Sequence, residues 1–178
     1  MLFRSKGKKY KINLIKRDKL LCKNSTSANE VILDFIKNYI KDDLENSIIV
    51  YLQPTSPFRN NKHIDLAINI FIKKKLRSIL SVTENKNFYK SLKKNKNVLS
   101  PFFNNQYVTN NRQNLNKIYS PNGAIYIFYA SDFLKKKKLT FTKSGYYLMN
   151  RIESIDIDDK QDYELAKFLS KKYLKFKK

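Results

Sequence analysis

Cysteine is all but missing from this chain, and the single Cys22 excludes an internal disulfide and every multi-cysteine zinc pattern. Glycine and proline are scarce, at 3 and 4 of 178 residues, which excludes a low-complexity or linker-rich chain. No apolar run reaches the roughly 20 residues that span a bilayer. The stretch Met1–Gly7 is basic but has no apolar core of a secretory leader, so a cytoplasmic protein without a membrane partner is expected. Histidine occurs once, as His63 at the start of a helical pattern among surface-type residues; it is expected to be exposed and offers no His-based metal site.

Acidic residues are also few. Against 37 Lys and Arg stand 15 Asp and Glu, a net charge of +22. That excess invites a nucleic-acid reading. However, the lysines are spread over the whole chain, and no zinc-finger or RNP motif accompanies them. The densest run, Lys135–Lys138, lies beside a short amphipathic piece and is a solvated face. No nucleic-acid partner is expected, although such a field would attract smaller anions.

A hydrophobic content of 42% over 178 residues is enough for one core, so a single domain spanning 1–178 is expected. Tyr10–Lys16 alternates as a short strand does. Ser27-Ala28-Asn29-Glu30 has the form of a capping box, opening a helix with Val31, Ile32, Phe35, Ile36, Tyr39 and Ile40 on one stripe. Ser47–Val50 is a β-branched run expected to be a buried strand, and a second helical stripe of Ile64, Ala67, Ile68, Phe71 and Ile72 begins after Asn60. Strand, helix, strand, helix is the order of a three-layer α/β sheet with mostly parallel strands.

Ser78–Thr83 continues the series as a strand. Residues 84–120 then lose any period, with Phe88, Tyr89, Phe102, Phe103 and Tyr107 scattered through Asn and Lys. So long a stretch is expected to hold short extended pieces that cover a site or pair with another subunit. Asn122-Gly123 reads as a turn opening a strand in which Tyr126 and Phe128 project to one side, though aromatics in strands are commonly core. Gly145–Met149 is a further strand, and a closing helix carries Tyr163, Ala166, Leu169 and Tyr173.

Two stretches have chemistry to offer. Tyr51-Leu52-Gln53-Pro54-Thr55-Ser56-Pro57-Phe58-Arg59 connects a strand to a helix at a carboxyl end, where open α/β sheets bind ligands. Its prolines stiffen the loop, Gln53 can donate and accept, Thr55 and Ser56 add hydroxyls, and Arg59 adds a fork for carboxylate or phosphate. The same loop could equally be a polar turn. Asp156 and Asp158 are two apart in extended backbone, which turns both carboxylates to one face. Such a pair suits a hard divalent cation completed by phosphate oxygens and water. Capping of the following helix by Asp158 or Asp159 accounts for the spacing as well.

The LQPTSPFR loop at 52–59 resembles a signature of the acylneuraminate cytidylyltransferases. NGAIYIF at 122–128 and SIDIDDKQDYELA at 154–166 are similar to later signatures of that family, in the same order. Ser81-Val82-Thr83-Glu84 with Tyr89-Lys90 resembles its SVTE and PYK stretch, and Arg112-Gln113 its RQ pair. The resemblance runs from about residue 10 to 168.

It implies a Rossmann-like nucleotidyltransferase that moves CMP from CTP to a sialic-type nonulosonic acid, releasing pyrophosphate. Mg²⁺ would be held by Asp156 and Asp158, with Lys90 near the reacting anions. Gln53, Ser56, Arg59 and Asn122 would face the sugar, and Tyr126 and Phe128 would wall its pocket. Arg17 and Ser27 would face the nucleotide. Residues 84–120 would cross between subunits of a homodimer. A 3-deoxy-manno-octulosonate cytidylyltransferase is the enzymatic rival, and a lysine-rich polyanion-binding remnant of the fold the non-enzymatic one.

The sequence departs from the family at Ser120, where a basic residue is common, and at Lys16-Arg17, where Arg-Pro is usual. It also carries no ARxGSKxxxxKN phosphate loop. The expectation is a fold lacking its first βα unit, inactive as this chain alone.

Overall fold

The computed structural model of the chain describes residues 10, 12–23, 25–110, 115–139 and 144–173. The expected RQ pair, Arg112-Gln113, and the side chain of Tyr173 lie outside the described residues. The chain divides into two compact units, Met1–Ser47 with Ala130–Lys138, and Ile48–Tyr129 with Leu139–Lys178.

In the first unit, residues 12–18 form no strand, contrary to the alternation of Tyr10–Lys16. Ile12, Leu14 and Ile15 are all exposed. Alternation specifies a strand only where a partner supplies the ladder and a core takes one face, and no described residue pairs with this stretch. A single 3₁₀ turn, Lys19–Leu21, follows, with Asp18 Oδ1 accepting from the Leu20 N–H at 2.8 Å.

Helix α1, Ala28–Tyr39, begins as its sequence predicts. Ser27 Oγ accepts from the Glu30 N–H at 3.3 Å, and Glu30 Oε2 accepts from the Ser27 N–H at 2.7 Å. Ile32 and Ile36 are its buried positions. It packs against a helix of the same unit, Ala130–Lys136, which buries Ala130 through Phe133 and is joined to Glu45 by Lys135 at 3.3 Å.

The second unit is built on strands β1 (Ile48–Tyr51), β2 (Ser78–Glu84), β5 (Tyr119–Tyr129) and β6 (Gly145–Leu148), in the order β1-β5-β2-β6. β1, β2 and β6 run one way, but β5 lies between β1 and β2 and is antiparallel to both. Only β2 and β6 are parallel neighbours. The expected mostly parallel sheet is therefore a mixed one. Each strand was legible by its own period, but pairing order is set by long-range contacts that a local period does not encode. β1 is also not the buried strand its apolar run predicts. It is an edge among the described residues, with Ile48 exposed and the rest half-buried.

Helix α2, Asn61–Lys73, covers one face of this sheet, and Ala67 and Phe71 meet Ile79, Ile125 and Ile127 in the core. Between β2 and β5 the chain makes a 3₁₀ turn (Phe88–Lys90), a hairpin of β3 (Leu92–Asn95) and β4 (Val98–Pro101), and a short helix α3 (Asn105–Thr109). These are the short pieces expected of residues 84–120. Phe88, Tyr89, Phe102, Phe103 and Tyr107 form a ring cluster with neighbouring centroids 5.0–6.2 Å apart. Continuing the numbering, Ala130–Lys136 is α4 and the closing helix Lys160–Tyr173 is α5.

His63 corrects another expectation. It is only 7% exposed, at the third position of α2. Its Nδ1 accepts from the Asn60 N–H at 3.4 Å, and its Nε2 lies 3.4 Å from Glu153 Oε1. The surface-like neighbours in sequence concealed a contact made across the fold.

Candidate active site

Asn122-Gly123 does not open β5 but kinks it from within. Between Leu80 and Val82 the register on β5 jumps from Tyr126 to Pro121, which is a bulge. Gly123 carries it with φ +75°, a conformation that favours glycine. A Cβ there would collide with Gln53 Oε1 and lie 3.2 Å from Asp156 Oδ2. Glycine is thus required twice over, for its backbone and for the close approach of two side chains. Glycine inside a strand pattern was the available signal for it.

The loop after β1, the β5 bulge and the segment ahead of α5 are stitched together around this point. Arg59 Nη1 donates to the Gln53 carbonyl at 2.7 Å and the Ala124 carbonyl at 2.8 Å. The Ile157 N–H donates to the Thr55 carbonyl at 2.9 Å. Asn122 Nδ2 donates to Ser154 Oγ at 2.8 Å. Three blocks far apart in sequence therefore form one polar cluster at the carboxyl end of β1.

Within the cluster the expected residues divide. Gln53 and Asp156 converge over Gly123. Tyr126 is near enough for its phenol to be pushed up by burial first, then by Tyr51 and by the Asp156 charge. Its ring lies 6.1 Å from that of Tyr51, its partner on β1. Ser56 is buried with no partner for its Oγ among the described residues.

Arg59 is not an open fork. It clamps two carbonyls, and burial pulls its guanidinium below its ordinary pKa. Asn122 is 7% exposed and committed at both ends of its amide, its Oδ1 accepting from Ser81 Oγ at 2.5 Å and the Ala124 N–H at 3.2 Å. Phe128 has no exposed surface and so walls no pocket, because the step of two that turns it to the Tyr126 side also carries it deeper along β5. Lys90 lies half-buried in the turn after β2. Arg17 and Ser27 belong to the first unit, Arg17 on its exposed coil and Ser27 in the cap of α1.

Ser81 and Ser154 were not anticipated. Ser81 is 1% exposed and its Oγ also accepts from the Ile125 N–H at 2.7 Å, so it locks the bulge from the β2 side. Its traces were a hydroxyl in the middle of an apolar run and its place at the head of the Ser81-Val82-Thr83-Glu84 block.

Capping of the closing helix falls to Asp159 and Asp162. Asp159 caps α5, accepting from Gln161 and Asp162 N–H groups at 2.7 and 2.9 Å. Asp162 returns bonds to the Asp158 and Asp159 N–H groups. Capping is thus accomplished without the carboxylates of Asp156 and Asp158. Asp156 Oδ1 is buried and lacks a hydrogen-bond partner among the described residues. Those residues contain no cluster of three or more His, Cys, Asp or Glu side chains. The buried, orphaned carboxylate oxygen of Asp156 is the kind of donor a hard cation takes, its other ligands coming from water and phosphate, while Asp158 stands exposed two residues on.

The chain matches no protein-family profile. It is 32% identical over 142 residues to the N-acylneuraminate cytidylyltransferase of Escherichia coli O18:K1:H7, covering 75% of this chain and 32% of that protein. It is 26% identical over 138 residues to the N-acylneuraminate cytidylyltransferase of Streptococcus agalactiae serotype V, covering 73% and 32%. With the CMP-N,N'-diacetyllegionaminic acid synthase of Legionella pneumophila it shares 28% over 157 residues, covering 86% and 66%. The chain spans about a third of the length of the N-acylneuraminate cytidylyltransferases it matches. Over three quarters of its residues, this chain is a relative of the acylneuraminate cytidylyltransferase family.

Proposed function

We propose that the chain is the acceptor-side part of a cytidylyltransferase, a CTP-dependent enzyme that transfers CMP to the anomeric hydroxyl of a sialic-type nonulosonic acid and releases pyrophosphate. The observation that carries this reading is the convergence of Gln53 Oε1 and Asp156 Oδ2 over Gly123, the other oxygen of that carboxylate, Oδ1, being buried and unsatisfied among the described residues.

Gln53 holds acceptor hydroxyls with an amide that can both donate and accept. Tyr126 stays a neutral phenol beside Asp156 and closes that side of the site. Asp156 and Asp158 would hold Mg²⁺, which supplies neutralisation of phosphate charge when bound. Lys90 adds a cation for the substrate anions, and Ser56 offers an unused hydroxyl. Arg59 and Asn122 hold the frame from behind. Arg17 and Ser27 are assigned to the nucleotide.

The fold is that of a Rossmann-like nucleotidyltransferase. The half-exposed edge at β1 leaves room for a further strand beside it. The ring cluster and the exposed Val98 and Leu99 of the β3–β4 hairpin support a homodimer interface in 84–120. Among the described residues no helix is long and apolar enough to cross a membrane; a cytoplasmic location accords with the substrates.

Thermal-shift binding of CTP with Mg²⁺ tests the reading. Stabilisation should require both CTP and Mg²⁺ and should be lost in Asp156→Asn and Asp158→Asn. Equal stabilisation by any polyanion, independent of Mg²⁺ and abolished by salt, would establish the polyanion-binding alternative instead.

A further inference from the structure

His63 and Glu153 lie mostly buried near the candidate site, and the proposed reaction leaves both unused. Each closes a turn of its own. The His63 N–H donates to Asn60 Oδ1 at 3.2 Å, and His63 Nδ1 accepts from the Asn60 N–H at 3.4 Å. Glu153 does the same for the turn after β6, its N–H donating to Asn150 Oδ1 at 3.0 Å and its Oε2 accepting from the Asn150 N–H at 3.3 Å. Both are reciprocal capping boxes. An Nδ1 that accepts leaves the ring proton on Nε2, the nitrogen that lies 3.4 Å from Glu153 Oε1. The two boxes therefore face each other, the proton of one against the carboxylate of the other. Tyr147 packs beside them, its ring 6.2 Å from that of His63, and its phenol is pushed up by burial first and then by the Glu153 charge.

The chain that leaves Glu153 runs directly into the site. Ser154 Oγ accepts from Asn122 Nδ2 at 2.8 Å, and the Ile157 N–H donates to the Thr55 carbonyl at 2.9 Å. Asp156 sits between those two anchors. The segment is thus held by α2 at Glu153, by β5 at Ser154 and by the loop after β1 at Ile157. Asp156 Oδ1 has no partner of its own among the described residues, so the backbone must set where it points. Removing His63 would leave Glu153 a buried carboxylate stripped of its facing proton. Such a group is costly and turns toward water. In turning, it would release the Asn150 N–H and loosen the turn from which Ser154 and Asp156 continue.

We infer that His63 is a positioning residue: acting through Glu153 and the turn Asn150–Ser154, it fixes the Asp156 carboxylate for the divalent cation, a role that rests on the proposed function. Ligands of such a site must be held to within about 0.5 Å. Outer partners that orient a metal ligand typically contribute about 10–100-fold to metal affinity. His63 acts from three residues before Asp156, through a turn that two other anchors also hold, which puts its effect at the lower end of that range.

The test titrates the whole chain with Mn²⁺ alone, which takes the same oxygen donors, and reads bound metal by electron paramagnetic resonance well below each variant's melting midpoint. His63→Leu should weaken Mn²⁺ about tenfold. His63→Gln should stay close to the wild type, because its amide can accept from the Asn60 N–H and donate to Glu153. Glu153→Ala should match His63→Leu, and the double variant should be little worse than either alone. A His63→Leu chain that melts earlier but binds Mn²⁺ as the wild type does overturns the inference and leaves the metal assignment standing. Losses that simply add overturn it as well. Should His63→Leu not fold, Glu153→Ala decides alone: a tenfold loss supports the inference and an unchanged affinity overturns it. If the wild-type chain binds no Mn²⁺, or Asp156→Asn binds it equally well, the metal assignment falls and the role of His63 falls with it.

Discussion

Replacing Gly123 by Ala should separate stability from ligand binding at this site. The backbone effect comes first. A left-handed φ of +75° costs an L-residue about 1–2 kcal/mol. The new Cβ also meets Gln53 Oε1 and, at 3.2 Å, Asp156 Oδ2. Gln53 Oε1 is the free end of a flexible side chain, so it can swing away at little expense to stability. Its displacement removes it from the site. Gly123→Ala should therefore lower unfolding stability by about 1–2 kcal/mol, and by the same amount in a Gln53→Ala background, because the backbone term does not involve Gln53. Binding should behave in the opposite way. Gly123→Ala and Gln53→Ala should each weaken the sugar acid, and the double variant should be little worse than either alone. Urea denaturation and calorimetric titration of the four proteins give both cycles. A stability loss that vanishes with Gln53, or binding losses that simply add, would refute the geometry.

Two further outcomes follow from contacts hidden in the sequence. His63→Ala should destabilise the chain by about 1–3 kcal/mol, since it strips a buried partner from Glu153, and Glu153→Gln should recover part of that loss; unchanged urea midpoints would exclude the contact. Ser27→Ala should lower stability by about 1 kcal/mol at neutral pH. The Glu30 carboxyl is held below its ordinary pKa by bonds from the Ser27 backbone and hydroxyl, so its contribution is present above the unfolded carboxylate range and lost as pH falls through the folded value. In Ser27→Ala, which keeps the backbone bond and removes the hydroxyl, the Glu30 titration, followed by NMR, should move part of the way back up; an unmoved titration would show that the hydroxyl does not reach the carboxylate.

The helices and most strands were legible because each rests on a local pattern. Ser27 with Glu30 announces α1, and the β-branched runs announce β1 and β2. What the sequence did not disclose depends on partners far along the chain. Ile12 and Leu14 alternate as a strand would but meet no ladder among the described residues. His63 is buried against Glu153, which returns to meet it 90 residues later, and beside the Tyr147 ring. β5 looks like any strand, yet its insertion between β1 and β2 makes the sheet mixed. At the site the three blocks were legible as chemistry, but the division of labour was not. Arg59 was anticipated as a ligand fork and is a clamp, and Asn122 was anticipated at the sugar and is committed to Ser81 and Ser154.

That division has an energetic logic. The polar groups behind the site are satisfied: Arg59 by two carbonyls, Asn122 at both ends, Ser81 by Asn122 and Ile125. Those at its centre are not. Asp156 Oδ1 and Ser56 Oγ are buried without partners among the described residues, and an unsatisfied buried polar group costs about 1–3 kcal/mol. A fold minimising its own energy would have turned one of the nearby donors toward them. Instead, the donors are spent on holding Gly123, Gln53 and the Asp156 segment in register. The site therefore stores a deficit that a ligand supplying the missing partners would remove. Whatever binds there stabilises the folded chain by mass action, and by more than its contacts to a relaxed surface would give. This is why melting temperature is an informative readout for CTP with Mg²⁺: the stabilisation measures relief of a cost already present in the folded chain.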